Sequence, residues 1–190
     1  MRGRATPSLV GVPAAPYRVC FVCSGNICRS PTAEFVLRRL LADTGLADRV
    51  RVDSAGLGDW NVGEGADARA VAALRARGYD AELHRARQFG AADLTGRDLV
   101  VALDSGHERS LLALARNAAE RDKIRLLRSY DAEAAAGGGD LDVPDPYYGP
   151  EDGFEHVLDL IESACRRLLA EIREDLPERS EEAGWSRRNA

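Results

Sequence analysis

With 190 residues, 45% of them apolar and 30% charged, the chain has the size and composition of one globular domain with a full core. A formal net charge of -5 argues against a general nucleic-acid binder, although it leaves room for one local cationic site. The sequence has no run of about 18 apolar residues, which argues against a helical membrane span.

The opening MRGRATPSLVGVPAAP (1–16) carries two arginines and a short apolar stretch broken by Pro7 and Pro13. It is too interrupted for a signal peptide and reads as a disordered leader. A single domain over 17–175 follows. It begins with YRVCFVC (17–23), a run of the length expected for a buried strand. Ser30-Pro31 then offers a helix N-cap and a first-turn proline, and Phe35, Val36, Leu40 and Leu41 recur at helical spacing as far as Gly45. RVRVDSAG (49–56) reads as a second strand and DARAVAALRARG (67–78) as a helix closed by Gly78. RDLVVALD (97–104) is a third strand, GHERSLLALA (106–115) a helix, and KIRLLRSY (123–130) a fourth strand. AAAGGGD (134–140) reads as a mobile loop. The helix GFEHVLDLIESACRRLLAEIRED (153–175) puts Phe154, Val157, Leu158, Ile161, Ala164, Cys165 and Leu168 on one face. The last stretch, 176–190, has no apolar stripe and reads as a flexible tail.

Strands alternating with helices predict an α/β three-layer sandwich, a parallel sheet flanked by helices with right-handed crossovers. Ligands in such folds bind beyond the carboxyl ends of the strands, which is where Cys23 falls. The four cysteines, at 20, 23, 28 and 165, do not suggest a disulfide framework. Cys20-x-x-Cys23 has no second ligand pair, and His84, His107 and His156 lack ligand spacing, so no metal is expected. Cys20 and Cys165 read as core packing, and the thiols suit a reducing, cytoplasmic setting.

The loop CSGNICRSP (23–31) joins the first strand to the first helix. Backbone N–H groups of Ser24, Gly25, Asn26, Ile27 and Cys28 can converge on one point, reinforced by the helix N-terminus. Gly25 takes positive φ freely and Asn26 does so at small cost. Arg29 can fork two donors onto a tetrahedral oxyanion. In that field the Cys23 thiol is expected to drop from about 8.5 into the region of roughly 3.5–7.5, with Ser30 donating to the sulfur. A thiolate beneath a bound phosphoryl group is placed for in-line attack on phosphorus. Cys28, five residues from Cys23, is expected within disulfide reach as a redox guard. Far along the chain, Asp145 lies in Pro144-Asp145-Pro146, which stiffens its loop and keeps the aspartate extended.

VCSGNICRSPTAE, together with SAGLGDWNVGEGADARA, HRARQ, VVALD and VPDPYYG in that order, resembles the low-molecular-weight protein tyrosine phosphatases over roughly residues 17 to 175. The resemblance implies a four-stranded parallel sheet and hydrolysis of phosphotyrosine in protein substrates through a cysteinyl-phosphate, without a cofactor. It implies Cys23 as nucleophile, Arg29 as phosphate clamp and Asp145 as general acid, then base. Asn26 would shape the loop and Ser30 stabilise the thiolate. Trp60, Tyr147 and Tyr148 would wall an aryl slot. Glu34 and His84 would buttress the loop, while Asp104 would fix Arg29 or merely cap the next helix. His107 and His156 receive no role, and a monomer is the default.

Three other readings compete. Arsenate reduction needs relay cysteines, and the only remote one, Cys165, lies on an apolar helical face. Arginine-phosphate hydrolysis belongs to a related subgroup with threonine where this loop has Ile27, and without the paired tyrosines. A non-catalytic phosphate-binding module would have no use for Cys23 and Asp145 together.

Overall fold

The computed structural model describes residues 15–185, apart from 82, 132–133, 135–139 and 150–151. The expected leader therefore lies almost wholly outside the described residues, as does most of the glycine-rich stretch 134–140. Four strands, β1 (Tyr17–Cys23), β2 (Val50–Gly56), β3 (Leu99–Ala102) and β4 (Ile124–Leu126), pair in parallel in the order β2-β1-β3-β4. The helices are α1 (Arg29–Asp43), α2 (Ala68–Ala76), α3 (Ala91–Thr95), α4 (Ser105–Leu114), α5 (Ala118–Arg121) and α6 (Asp152–Trp185). The three-layer α/β sandwich is as expected.

Both faces of the sheet are covered, so β1 is apolar almost throughout rather than alternating. Val19, Phe21 and Cys23 face a core shared with Leu37 and Leu41 of α1 and Leu158, Ile161 and Leu168 of α6. Cys20 and Val22 face the opposite core with Phe89, Leu94, Val100 and Leu111. The residues expected on the apolar face of α6 are all buried, Cys165 among them. Burial raises the Cys20 and Cys165 thiols well above their usual range, and both remain inert core groups.

The outer strands are shorter than their sequences suggest. β3 is confined to Leu99–Ala102 between Asp98, whose carboxylate accepts from the Arg18 amide, and Asp104, which caps α4. β4 has only β3 to pair with and ends after three residues. Leu127 then turns inward to full burial within a 3₁₀ turn, Leu127–Tyr130. α3 and α5 are too short for a periodic signal. At the other end, α6 runs on to Trp185, past the boundary expected at 175. Glutamate, arginine and alanine sustain a helical backbone without an apolar stripe. None of the helices among the described residues is long and apolar enough to cross a membrane.

Ile161 is fully buried on α6, in the core that this helix shares with α1 and β1. Ile161→Ala is expected to cost about 2–5 kcal/mol in a urea-unfolding experiment, through lost burial and the cavity left behind. A loss below about 1 kcal/mol would contradict this packing.

Candidate active site

The strand order places β2 and β3 on opposite sides of β1, so the crossovers diverge at the carboxyl end of β1 and leave a crevice there. Residues 23–29 fill that crevice as a tight loop. It is stitched to the segment after β2, where Leu57 N donates to Cys23 O at 2.9 Å and Gly58 N to Ser24 O at 2.9 Å. Asp67 N donates to Ile27 O at 2.8 Å. This closeness leaves no room for a side chain at position 56. A Cβ on Gly56 would lie 2.8 Å from Ser24 O and 2.9 Å from the Gly25 carbonyl carbon. Gly56 is thus a site residue that sequence reasoning passed over, because its requirement comes from a backbone distant in sequence.

Asn26 is the centre of the loop. Its φ of 57° is the only positive value outside glycine among the described residues, and it is fully buried. Its Nδ2 donates to Ser30 Oγ (2.9 Å) and Ser54 Oγ (2.8 Å), and its Oδ1 accepts from Arg87 N (3.0 Å). His84 Nε2–H donates to Asn26 O at 2.6 Å, and Asn26 N points at Cys23 Sγ at 3.3 Å. Of the two residues able to take positive φ, Asn26 is the one that does, while a Cβ on Gly25 would collide only with the movable end of the Asn61 side chain. One expectation needs correction. Ser30 is not the N-cap: α1 starts at Arg29, and the Ser30 hydroxyl turns inward to Cys23 Sγ, 3.0 Å away.

The support extends one layer deeper. Ser54 Oγ donates to Glu34 Oε2 at 2.5 Å, and Glu34 Oε1 pairs with Arg38 at 2.6 Å. Glu34 and His84 thus both reach the loop through Asn26. Burial raises the Glu34 carboxyl, against the hydrogen bond from Ser54 and the charge of Arg38.

Arg29 is buried at the loop's end, its guanidinium shared between two carboxylates: Nη1 to Asp104 Oδ2 and Nη2 to Asp145 Oδ2, each at 2.8 Å. Asp104 does both things weighed for it, because its Oδ1 also accepts from His107 N at 2.7 Å as the cap of α4. The segment carrying Asp145 is tied down by Arg29 Nη1 to Val143 O (3.2 Å) and Val143 N to Leu103 O (2.8 Å). Arg69 adds a donor to Tyr147 O at 3.2 Å and lies against the Tyr147 ring.

These groups enclose a cavity of about 310 Å³. Cys23, Ser24, Gly25, Ile27, Cys28 and Arg29 form its floor, and Trp60, Asn61, Asp145, Tyr147 and Tyr148 its rim. Trp60 is 67% and Tyr148 92% exposed, so the aromatic wall stands open at its outer edge. Asn26 and Ser30 lie beneath the floor, and Glu34, His84 and Asp104 further out. Asn61 and Ser54 were not foreseen, being single polar residues without a motif of their own. The Cys28 thiol is pushed up to about 12 by burial, with Asp67 and Cys23 adding to it. Cys28 therefore stays protonated near neutral pH. Among the described residues no cluster of His, Cys, Asp or Glu is arranged to hold a metal.

His107 was assigned nothing from sequence, yet it is buried with Nε2 2.8 Å from Ser24 Oγ on the loop. Burial holds its pKa down at about 4, against the raising effect of Asp104. His84 is likewise lowered, by burial. Both imidazoles bind protons more readily when the chain is unfolded, so folding stability is lost as pH falls below about 6.5. The His107 contribution is fully spent near its folded value of about 4 and amounts to something on the order of 3 kcal/mol. Glu34 acts oppositely in its own window above its unfolded value, because the folded state there holds the extra proton. Unfolding free energies measured from pH 7 to pH 4 should therefore fall, and His107→Gln should flatten the slope. An unchanged slope would contradict a neutral, buried His107.

A cysteine-bearing loop at a strand switch point, with a buried arginine at its end and an aspartate facing it, has close parallels among known proteins. A sequence model described as low molecular weight phosphotyrosine protein phosphatase matches residues 18–178. A low molecular weight protein-tyrosine-phosphatase of Streptomyces coelicolor is 55% identical over 164 residues, spanning 86% of this chain and 98% of that protein. Low molecular weight protein-tyrosine phosphatase A of Mycobacterium tuberculosis is 51% identical over 153 residues, 80% of this chain and 90% of its own. Among solved structures, YfkJ of Bacillus subtilis superposes with a TM-score of 0.77 at 37% identity, covering 85% of this chain and 97% of that one. A protein tyrosine phosphatase of Entamoeba histolytica gives 0.77 at 32% identity, over 84% and 98% respectively. The fold, the position of the loop and these matches along most of the chain agree, and the protein belongs to the low molecular weight phosphotyrosine protein phosphatase family.

Proposed function

We propose that the protein hydrolyses phosphotyrosine in protein substrates through a cysteinyl-phosphate, with Cys23 as nucleophile, Arg29 as clamp and Asp145 as acid and then base. The observation that carries this reading is that Asp145, from far along the chain, lines the same cavity as Cys23 and Arg29 of the loop. Asn26 N–H and the Ser30 hydroxyl solvate the attacking sulfur without occupying its outward face. Ser30 Oγ already accepts from Asn26 Nδ2, which leaves its single proton for the sulfur or for Ala55 O.

Arg29 is held ready by Asp104 from behind, so that one guanidinium edge stays fixed. The other edge, resting on Asp145, turns to a phosphate oxygen when substrate enters. The sulfur attacks phosphorus, the P–O bond to the aryl group breaks, and Asp145 delivers a proton to the departing phenolate. In the second step the same carboxylate takes a proton from water. Tyr147, Tyr148 and Trp60 flank the entrance and suit a flat aryl group whose phosphate must reach the loop.

With the Cys23→Ser variant as the inactive control, Asp145→Ala should lower kcat/KM, which reports only the first step, on phenyl phosphate by about 10²–10⁴-fold, the range general-acid catalysis supplies. An activated substrate such as 2,4-dinitrophenyl phosphate should suffer far less. Equal losses on both would remove Asp145 from the acid's role, and turnover by Cys23→Ser would remove the nucleophile.

Cys28 lines the same cavity and is proposed as the resolving thiol. Peroxide converts the Cys23 sulfur to a sulfenic acid, and Cys28 displaces hydroxide to give the Cys23–Cys28 disulfide and water. Because its thiol stays protonated, this closure should be slow and quicken with rising pH. Activity lost to peroxide should return with dithiothreitol in wild type and fail to return in Cys28→Ser; equal recovery in both would exclude the pairing.

A further inference from the structure

Ser24, His107 and Asp104 form a chain that the reaction as described does not use. Ser24 Oγ lies 2.8 Å from His107 Nε2, and His107 Nδ1 lies 3.0 Å from Asp104 Oδ1. The second approach is off the line of a good hydrogen bond, leaving Nδ1 without an aligned partner. Its attraction is therefore electrostatic. A proton on Nδ1 sits against the carboxylate, whereas a bare lone pair there would face negative charge. The neutral ring thus carries its proton on Nδ1, and Nε2 accepts from the Ser24 hydroxyl.

The consequence falls on the cavity. With its only proton committed to His107, Ser24 Oγ keeps only acceptor capacity, in a residue that lines the cavity together with Arg29 and Asp145. An acceptor there is ill-suited to a phosphate oxygen. It is well suited to a water molecule that must give one proton to Asp145 and needs somewhere to direct the other.

We propose that Ser24 Oγ, oriented by His107 and through it by Asp104, holds the water that hydrolyses the cysteinyl-phosphate. This rests on the cysteinyl-phosphate reading above. In the step, water oxygen forms the new P–O bond as the P–S bond breaks and its electron pair returns to the Cys23 sulfur. One water proton passes to the Asp145 carboxylate. The other stays on the oxygen, hydrogen-bonded to Ser24 Oγ, and leaves with the product as HPO₄²⁻. Ser24 contributes nothing to the first step, in which no water takes part. His107 acts through Ser24 and is a positioning residue.

Methanol provides the test because its hydroxyl has a single proton. That proton goes to Asp145, and none remains for Ser24. With 4-nitrophenyl phosphate as substrate and a fixed methanol concentration, the ratio of methyl phosphate to inorganic phosphate reports how well water is held relative to methanol. Ser24→Ala should raise that ratio about 3- to 10-fold, the range a single neutral hydrogen bond is worth. Ser24→Thr, which keeps the hydroxyl, should restore the wild-type ratio, and His107→Leu should shift it in the Ser24→Ala direction. An unchanged ratio in Ser24→Ala would overturn the proposal, as would a fall in kcat/KM with the ratio constant, which would make Ser24 a phosphate donor. Wild-type protein without turnover would sink the underlying phosphatase reading instead, so the two failures are distinguishable. Should His107→Leu not fold, the Ser24 pair carries the test alone.

Discussion

The site depends on one buried asparagine. Every polar group of Asn26, two on the backbone and both ends of its amide, finds a partner, and the partners come from β1, α1, β2 and the segment 84–87. A buried amide left with an unused donor or acceptor would cost about 1–3 kcal/mol, so the four segments are held to a single arrangement. That arrangement sustains a left-handed residue within the loop. It also aims the Asn26 N–H at the Cys23 sulfur and turns the Ser30 hydroxyl towards it. Asparagine suits the position because it tolerates left-handed φ while offering donors and acceptors together.

Around this centre the charges are arranged in sequence. Asp104 faces Arg29 with one oxygen and the amino end of α4 with the other, so the guanidinium and the helix are set by the same carboxylate. Arg29 in turn bridges to Asp145 and to the Val143 carbonyl, which carries the loop's geometry across the cavity to that carboxylate. The rim is built differently. Trp60, Tyr147 and Tyr148 are open to solvent, the two tyrosine rings meeting edge to face at 4.9 Å with Arg69 over the Tyr147 ring. A fixed floor beneath an open aromatic rim fits chemistry that demands exact geometry at phosphorus and tolerance in what is attached to it.

Much of this was legible in the chain. Strand and helix alternation located the sheet and its switch point, because buried parallel strands and amphipathic helices leave strong apolar patterns. Cys23, Arg29 and Asp145 were readable from residue type, loop position and family likeness. The residues that escaped act through contacts between distant segments. Gly56 is small because of the Ser24 carbonyl, Ser54 relays Glu34 to Asn26, and His107 reaches Ser24 from another helix. Ser30-Pro31 misled for a related reason: the pair has the chemistry of a helix start, yet the serine's hydroxyl is better placed against the sulfur and Asn26. Beyond residue 175 the absence of an apolar stripe says where a helix cannot pack, not where its backbone ends, and α6 runs on to Trp185.

The central claim is that phosphate passes through the Cys23 sulfur. Acid quenching within the first turnovers of an aryl phosphate, followed by peptide mass spectrometry, tests it directly. The account predicts a phosphorylated peptide containing Cys23, with the modification on that sulfur, accumulating further in a variant lacking the Asp145 carboxylate if an activated substrate is used. Turnover with the phosphate on another residue, or with no phosphorylated enzyme in either protein, would contradict it.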